Sequence, residues 1–177
     1  MIIPDNSAVS SVHLRNGMII NRYPFISLVG RKDVFQRIVQ ASEHFVPGIF
    51  DFVPKTFIFS QETALFKQYQ AKMGKGISYI AKPVKGAKGN SIVLFRELKE
   101  LSSKWMEDTV VQQYVNEPYL LNGLKFDIRV YVAITGTTEG KMHAFLADEG
   151  IVRFCTEDYQ KAAPANFKNI QMHITNG

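Results

Sequence analysis

Only one cysteine, Cys155, stands among the 177 residues, so the chain cannot close a disulfide on itself or build a cysteine-cluster metal site. The four histidines, His13, His44, His143 and His173, are scattered without zinc-ligand spacing. A run of about 18 apolar residues, the length of a membrane span, is absent. Met1-Ile2-Ile3-Pro4-Asp5 lacks the basic start and apolar stretch of a signal peptide. The expectation is a reducing, cytoplasmic setting with no membrane partner. Repeats and low-complexity tracts are missing too, and 46% hydrophobic with 21% charged residues is the profile of a chain that folds. Acid is scarce: 16 Asp and Glu stand against 21 Lys and Arg, a formal net charge of +5. That surplus favours an anionic partner, whether nucleotide, nucleic acid or acidic peptide, without choosing among them.

What is present is organised around Lys125-Phe126-Asp127-Ile128-Arg129-Val130-Tyr131-Val132-Ala133-Ile134. Its alternation predicts a β-strand with Phe126, Ile128, Val130, Val132 and Ile134 on a core face. Lys125, Asp127, Arg129 and Tyr131 fall on the other. Three charges in a row on an otherwise apolar strand need partners, either one another across strands or a charged ligand.

Before that strand the chain reads as a mixture of helices and strands. Residues 1–30 form a lead-in or partial N-terminal domain. Val34, Phe35, Ile38, Val39, Phe45 and Val46 make one helical stripe over Lys32–Val46, expected to pack in the core. Lys55–Phe59 reads as a short strand, and Ser60 as the cap of a helix carrying Leu65, Phe66, Tyr69 and Met73, ended by Gly74-Lys75-Gly76. Ile77–Ala81 and Ile92–Phe95 are strands flanking a basic glycine loop that contains Gly86, Lys88 and Gly89. Such a loop brings backbone N–H groups and lysines close to phosphate oxygens, and serves equally as a flexible hairpin. Lys82 ends an apolar strand and wants an anion. Glu97–Trp105 reads as a helix and Val110–Val115 as a strand with Gln112 and Tyr114 on one face, polar groups suited to a purine edge or to plain surface. Asn116-Glu117-Pro118 breaks that strand and divides a domain over 31–116 from a second over 117–177. Beyond it, Met142–Leu146 and Ile151–Cys155 predict a hairpin around Asp148-Glu149-Gly150, with Arg153 flanked by apolar neighbours.

Taken together, Arg31-Lys32-Asp33, Pro54-Lys55-Thr56, Ile80-Ala81-Lys82-Pro83 with Gly86-Ala87-Lys88-Gly89, Val111-Gln112-Gln113-Tyr114, Lys125-Phe126-Asp127-Ile128-Arg129, Gly150-Ile151-Val152-Arg153 and His173-Ile174-Thr175-Asn176 resemble the tubulin–tyrosine ligase-like family of ATP-grasp ligases. The resemblance runs from about Asn21 to Asn176 and implies an α/β (α+β) ATP-grasp fold. It implies ATP as the nucleotide, an acyl phosphate made on a carboxylate, and attack on it by an amino acid's amine. Lys32, Lys82, Arg129 and Arg153 then resemble the phosphate contacts, and Gln112, Tyr114 and Val115 the adenine hinge. Gly86, Lys88 and Gly89 cover the phosphates. Lys125 and Asp127 match the nucleotide and substrate row, with Asp127, Arg129 and Arg153 at the chemistry. His173, Thr175 and Asn176 match the His-x-Thr-Asn element beside the nucleotide.

Lys82-Pro83 is similar to the glutamylating members, which implies glutamate as the amino acid, acidic tubulin or microtubule tails as partner, and a cytoplasmic, cytoskeletal or ciliary location. Two departures stand out. Ser91 occupies a position where the family has glycine. The family's magnesium carboxylates, an Asp and a Glu-x-Asn, have no counterpart after His173-Ile174-Thr175-Asn176, and no Glu-x-Asn occurs in the sequence. The expectation is a C-terminally truncated ligase whose Mg2+ ligands lie downstream and which is inactive by itself. The alternative is a catalytically inactive nucleotide- or microtubule-binding module. A nucleic-acid-binding domain fits less well, because the cations lie in strand motifs without a stacking platform or recognition helix.

Overall fold

The computed structural model describes residues 26–85, 91–136 and 140–175. Gly86, Lys88, Gly89 and Asn176 of the expected site lie outside them. Two antiparallel sheets with short helices make a mixed α/β architecture. Among the described residues no helix is long and apolar enough to cross a membrane.

The first sheet holds β1 (Thr56–Ile58), β2 (Tyr79–Pro83), β3 (Val93–Phe95) and β4 (Thr109–Gln113) in the order β1-β4-β2-β3. Strand alternation sends Phe57, Tyr79, Ala81, Phe95 and Val111 to one side, where all are buried. Phe66 of the helix Thr63–Met73 fills the centre, with ring centroids 4.9 Å from Tyr79, 5.3 Å from Phe59 and 5.4 Å from Phe57. Emptying such a site costs about 3–5 kcal/mol. Ser60 does not cap this helix: its φ is 81°, and Glu62 stands at the cap position instead, its carboxylate accepting from Ile58 N at 2.6 Å. Gly74 at φ 78° ends it, as expected.

The helix expected over Glu97–Trp105 is two single 3-10 turns, Leu98–Glu100 and Ser103–Trp105. The Glu100 carboxylate turns back to accept from Glu97 N at 2.9 Å and Arg96 N at 3.3 Å, closing the first turn, and Leu101 is already extended. Leu101 and Trp105 still reach the core. The helix Lys32–Phe45 forms where expected, but its apolar stripe is not core: Phe35 is 42% and Phe45 80% exposed, and only Gln36 and Val39 are buried. Among the described residues its main neighbours are the short helix Ile26–Val29 and β1, which together are too small to cover the stripe.

The second sheet holds β5 (Leu120–Leu121), β6 (Leu124–Gly136) and β7 (Met142–Asp158) in that order. Asn122 at φ 51° and Gly123 at φ 80° form the two-residue turn between β5 and β6. The expected hairpin around Asp148-Glu149-Gly150 is absent, because β7 runs straight through these residues. Gly150 lies opposite Val130, and a Cβ there would stand 2.6 Å from Arg129 O; the glycine serves close strand approach, not a turn. Two irregularities absorb the excess length of β7, one opposite the Val130–Val132 step and one opposite Leu124–Phe126.

The core face expected on β6 is also corrected. Ile128 is 59%, Val130 56% and Val132 52% exposed, because no further layer among the described residues covers the β6–β7 ribbon. What joins the sheets is the segment after β7. Ala162 and Phe167 pack on the reverse face of the first sheet with Ile80, Leu94 and Tyr114, and the turn Ile170–His173 packs on β6 and β7. Ser78 Oγ and the Arg96 guanidinium both donate to Ala162 O at 3.3 Å.

Candidate functional site

Even-numbered residues of β2 and β4 point away from the aromatic core, which sets Lys82 beside Gln112 and leaves Tyr114 just beyond the strand end. The opposite wall comes from β6, where Lys125 and Asp127 share a face, and from His173 and Thr175 on the returning segment. These groups, with Val115 at the rim, line one cleft of about 450 Å³, within the size range of small-molecule sites.

Lys82 Nζ donates to Gln112 Oε1 at 3.0 Å, and Gln112 Nε2 donates to Thr56 Oγ1 at 2.9 Å, so the glutamine amide holds the lysine. Lys125 Nζ donates to Tyr114 Oη at 2.9 Å and to His173 O at 2.8 Å, with the ammonium 4.5 Å from the Tyr114 ring centre. Both lysines are thus held by neutral acceptors. Burial, and then the charge of Lys32, push the Lys82 pKa down. Burial lowers Lys125 to about 8, with Lys82 adding to the fall while Cys155 and Asp127 oppose it. Burial and then Lys125 lower His173, which stays neutral. Mutually repelling cations in a desolvated cleft gain most from an anion brought between them.

Asp127 is differently occupied. Arg153 lies opposite it in the ladder and donates Nε at 2.8 Å and a terminal NH2 at 2.6 Å to its two oxygens. Thr175 Oγ1 donates to the same carboxylate at 2.6 Å. The Arg153 hydrogen bond, before all else, holds the Asp127 pKa below the usual carboxylate range. The charged row of β6 therefore finds its partner across the strands at Asp127, while Lys125 faces the cleft.

Of the expected site residues, Lys82, Gln112, Tyr114, Val115, Lys125, Asp127, His173 and Thr175 come together at this cleft. Lys32, Arg129 and Arg153 do not line it: Lys32 acts on Lys82 through its charge, Arg153 stands behind Asp127, and Arg129 is exposed further along β6. Sequence reasoning missed Thr56, which holds the Gln112 amide, and Asn166, whose Oδ1 meets His173 Nε2 at 3.2 Å. Thr56 was visible inside Pro54-Lys55-Thr56, whereas Asn166 sits in a turn with no periodic signal. Ser91 carries φ 57°, a left-handed conformation that favours glycine.

The sequence profile described as the tubulin-tyrosine ligase family matches residues 11–177. Tubulin polyglutamylase TTLL6 of Homo sapiens is 33% identical over 157 residues, covering 89% of this chain and 17% of that protein. Tubulin polyglutamylase TTLL7 of Homo sapiens is 35% identical over 166 residues, 92% of this chain and 18% of the relative. A probable beta-tubulin polyglutamylase of Tetrahymena thermophila is 38% identical over 109 residues, 62% of this chain and 9% of the relative. The chain thus spans less than a fifth of the length of these curated relatives. With the match running through both sheets and every wall of the cleft, this chain belongs to the tubulin-tyrosine ligase family.

Proposed function

We propose that the cleft binds the phosphates of ATP, within an ATP-grasp fold whose two sheets hold the nucleotide between them. We propose further that the whole protein adds glutamate to an acidic tubulin tail. The observation that carries the reading is the placing of Lys82 and Lys125 in one desolvated cleft, each hydrogen-bonded to neutral acceptors. In this chemistry a carboxylate oxygen of the tail attacks the γ-phosphorus, ADP leaves, and the glutamate amine displaces phosphate from the acyl phosphate as it loses a proton. Little covalent work falls to the protein; its part is to place and neutralise charge. Lys82 and Lys125 hold phosphate oxygens, with Lys32 adding to the field. Neutral His173 and Tyr114 fix Lys125. Asp127, through Arg153 and Thr175, locks the two strands and the returning segment that form the far wall.

The chain's +5 charge suits an anionic tail. The names of the polyglutamylase relatives support tubulin as the acceptor protein, and a cytoskeletal location in the cytoplasm or cilium follows from the same reading. Magnesium does not fit these residues. Among the described residues no group of three or more His, Cys, Asp or Glu stands together, and both Asp127 oxygens are already taken. No step of the proposal is therefore assigned to the metal.

The test is metal-free ATP binding to this chain by calorimetry, beside transfer of labelled glutamate to tubulin by the full-length protein. Lys82→Ala and Lys125→Ala should each weaken ATP binding by about tenfold or more and reduce transfer. Binding without transfer in the full-length protein would identify a nucleotide- or microtubule-binding module, and unchanged ATP affinity in both variants would sink the nucleotide reading.

A further inference from the structure

We infer that Asn166, outside every motif that points to the family, is a positioning residue that aims the cleft's cation by fixing the tautomer of His173. The orientation of the Asn166 side-chain amide is set on both sides. Its Oδ1 accepts from Ala163 N at 2.9 Å, and its Nδ2 donates to Lys161 O at 3.1 Å. A flipped amide would face donor to donor and acceptor to acceptor. The atom that meets His173 Nε2 at 3.2 Å is therefore an acceptor, and Nε2 carries the imidazole proton.

His173 is fully buried and neutral, so its Nδ1 is bare. The 3.1 Å contact of Tyr114 Oη with this bare nitrogen is then a bond that Tyr114 donates, while the Tyr159 hydroxyl beside it gives its own proton to Asn116 O at 3.0 Å. With its proton spent on Nδ1, the Tyr114 oxygen is free to accept, and Lys125 Nζ donates to it at 2.9 Å. The backbone carbonyl of His173 takes a second Nζ proton at 2.8 Å. An ammonium has three N–H donors, and the third is left for the cleft that Lys125 lines. The direction of donation thus runs Lys125 to Tyr114 to His173 to Asn166, and it reverses at Tyr114 if the imidazole proton moves to Nδ1. Tyr114 would then face two donors, and Lys125 would lose its fixed direction.

The inference rests on the nucleotide reading only for what the third N–H contacts, and two measurements keep the two apart. Long-range proton–nitrogen correlation spectra of the histidine rings report the tautomer without any ligand. The wild-type chain should show His173 as the neutral Nε2–H form, and Asn166→Leu should shift it toward Nδ1–H, while Asn166→Gln restores it at least in part. Affinity for metal-free ATP should fall about tenfold in Asn166→Leu, the size of a lost hydrogen bond to a charged group. It should fall no further when Asn166→Leu is added to Lys125→Ala, because both act through one ammonium. A Nδ1–H tautomer in the wild type, or losses that simply add in the double variant, would overturn the inference. ATP affinity absent from the wild type, with the tautomer shifting as described, would remove the nucleotide and uphold the positioning.

Discussion

At the scale of single residues, the two charged groups of β6 that meet the cleft answer differently to substitution and to pH. Asp127 and Arg153 form a two-pronged pair, but their side chains are 36% and 28% exposed, so water screens them. The pair is worth about 0.2–1 kcal/mol. Asp127→Ala should therefore lower unfolding free energy by no more than about 1 kcal/mol in urea titrations, while transfer by the full-length protein falls by at least about tenfold, since the far wall loses its lock. A drop in stability that accounts for the whole activity loss would make the pair structural only. Because the Asp127 pKa is held low, its stabilisation is present at neutral pH and is lost as pH falls through and below the usual carboxylate range. For Lys125 the shift marks a cost, since burial disfavours its charged form. Its proton leaves at about 8 when folded, so between that value and the ordinary lysine value of 10.5 the unfolded chain binds the extra proton and stability rises with pH. Through the same window metal-free ATP should bind progressively more weakly, and Lys125→Met should abolish that step in a calorimetric pH series. Lys82, Asp127 and Cys155 are the other groups acting on this ammonium, and they stay in place in that variant.

At the scale of elements, alternation and helical period located the strands and the two longer helices, because each rule needs only neighbours in sequence. Lys82, Gln112, Lys125 and Asp127 were legible for that reason: strand alternation alone sets which face each takes. What stayed hidden depends on partners distant in sequence. Gly150 looked like a turn residue, and only the approach of Arg129 O explains it. Gly150→Ala should cost about 1–3 kcal/mol in thermal or urea unfolding, against little change for Gly76→Ala, where a Cβ meets nothing and the backbone is not left-handed. Equal losses at the two glycines would rule out the contact with Arg129 O as the cause. Asn122-Gly123 is the reverse case. It is a strong hairpin signal, passed over because β5 has only two residues to announce a strand. Glu97–Trp105 misled for a third reason: Leu98, Leu101 and Trp105 keep an inward face under two 3-10 turns much as they would in a helix.

For the whole molecule, burial is uneven. The first sheet is covered on both faces, and β6 and β7 carry Ile128, Val132, Leu146 and Val152 in the open. An apolar ribbon with a free edge favours association between chains. Ile128→Lys with Val132→Lys should suppress concentration-dependent light scattering and leave the melting temperature within about 0.5 kcal/mol equivalent. A large loss of stability would mean that this face is packed in solution. The segment after β7 carries a different consequence. The chain passes between the two walls of the cleft after Tyr114, again between Asp158 and Ala162, and once more between Phe167 and Ile170. A wall tethered once swings like a door, but one stitched three times behaves like a bound book spine, so the gap between the walls is a fixed width written into the fold. Two of the three stitches flank the exposed Pro164 and Ala165. A single cut there would free the spine while both sheets kept every ladder hydrogen bond.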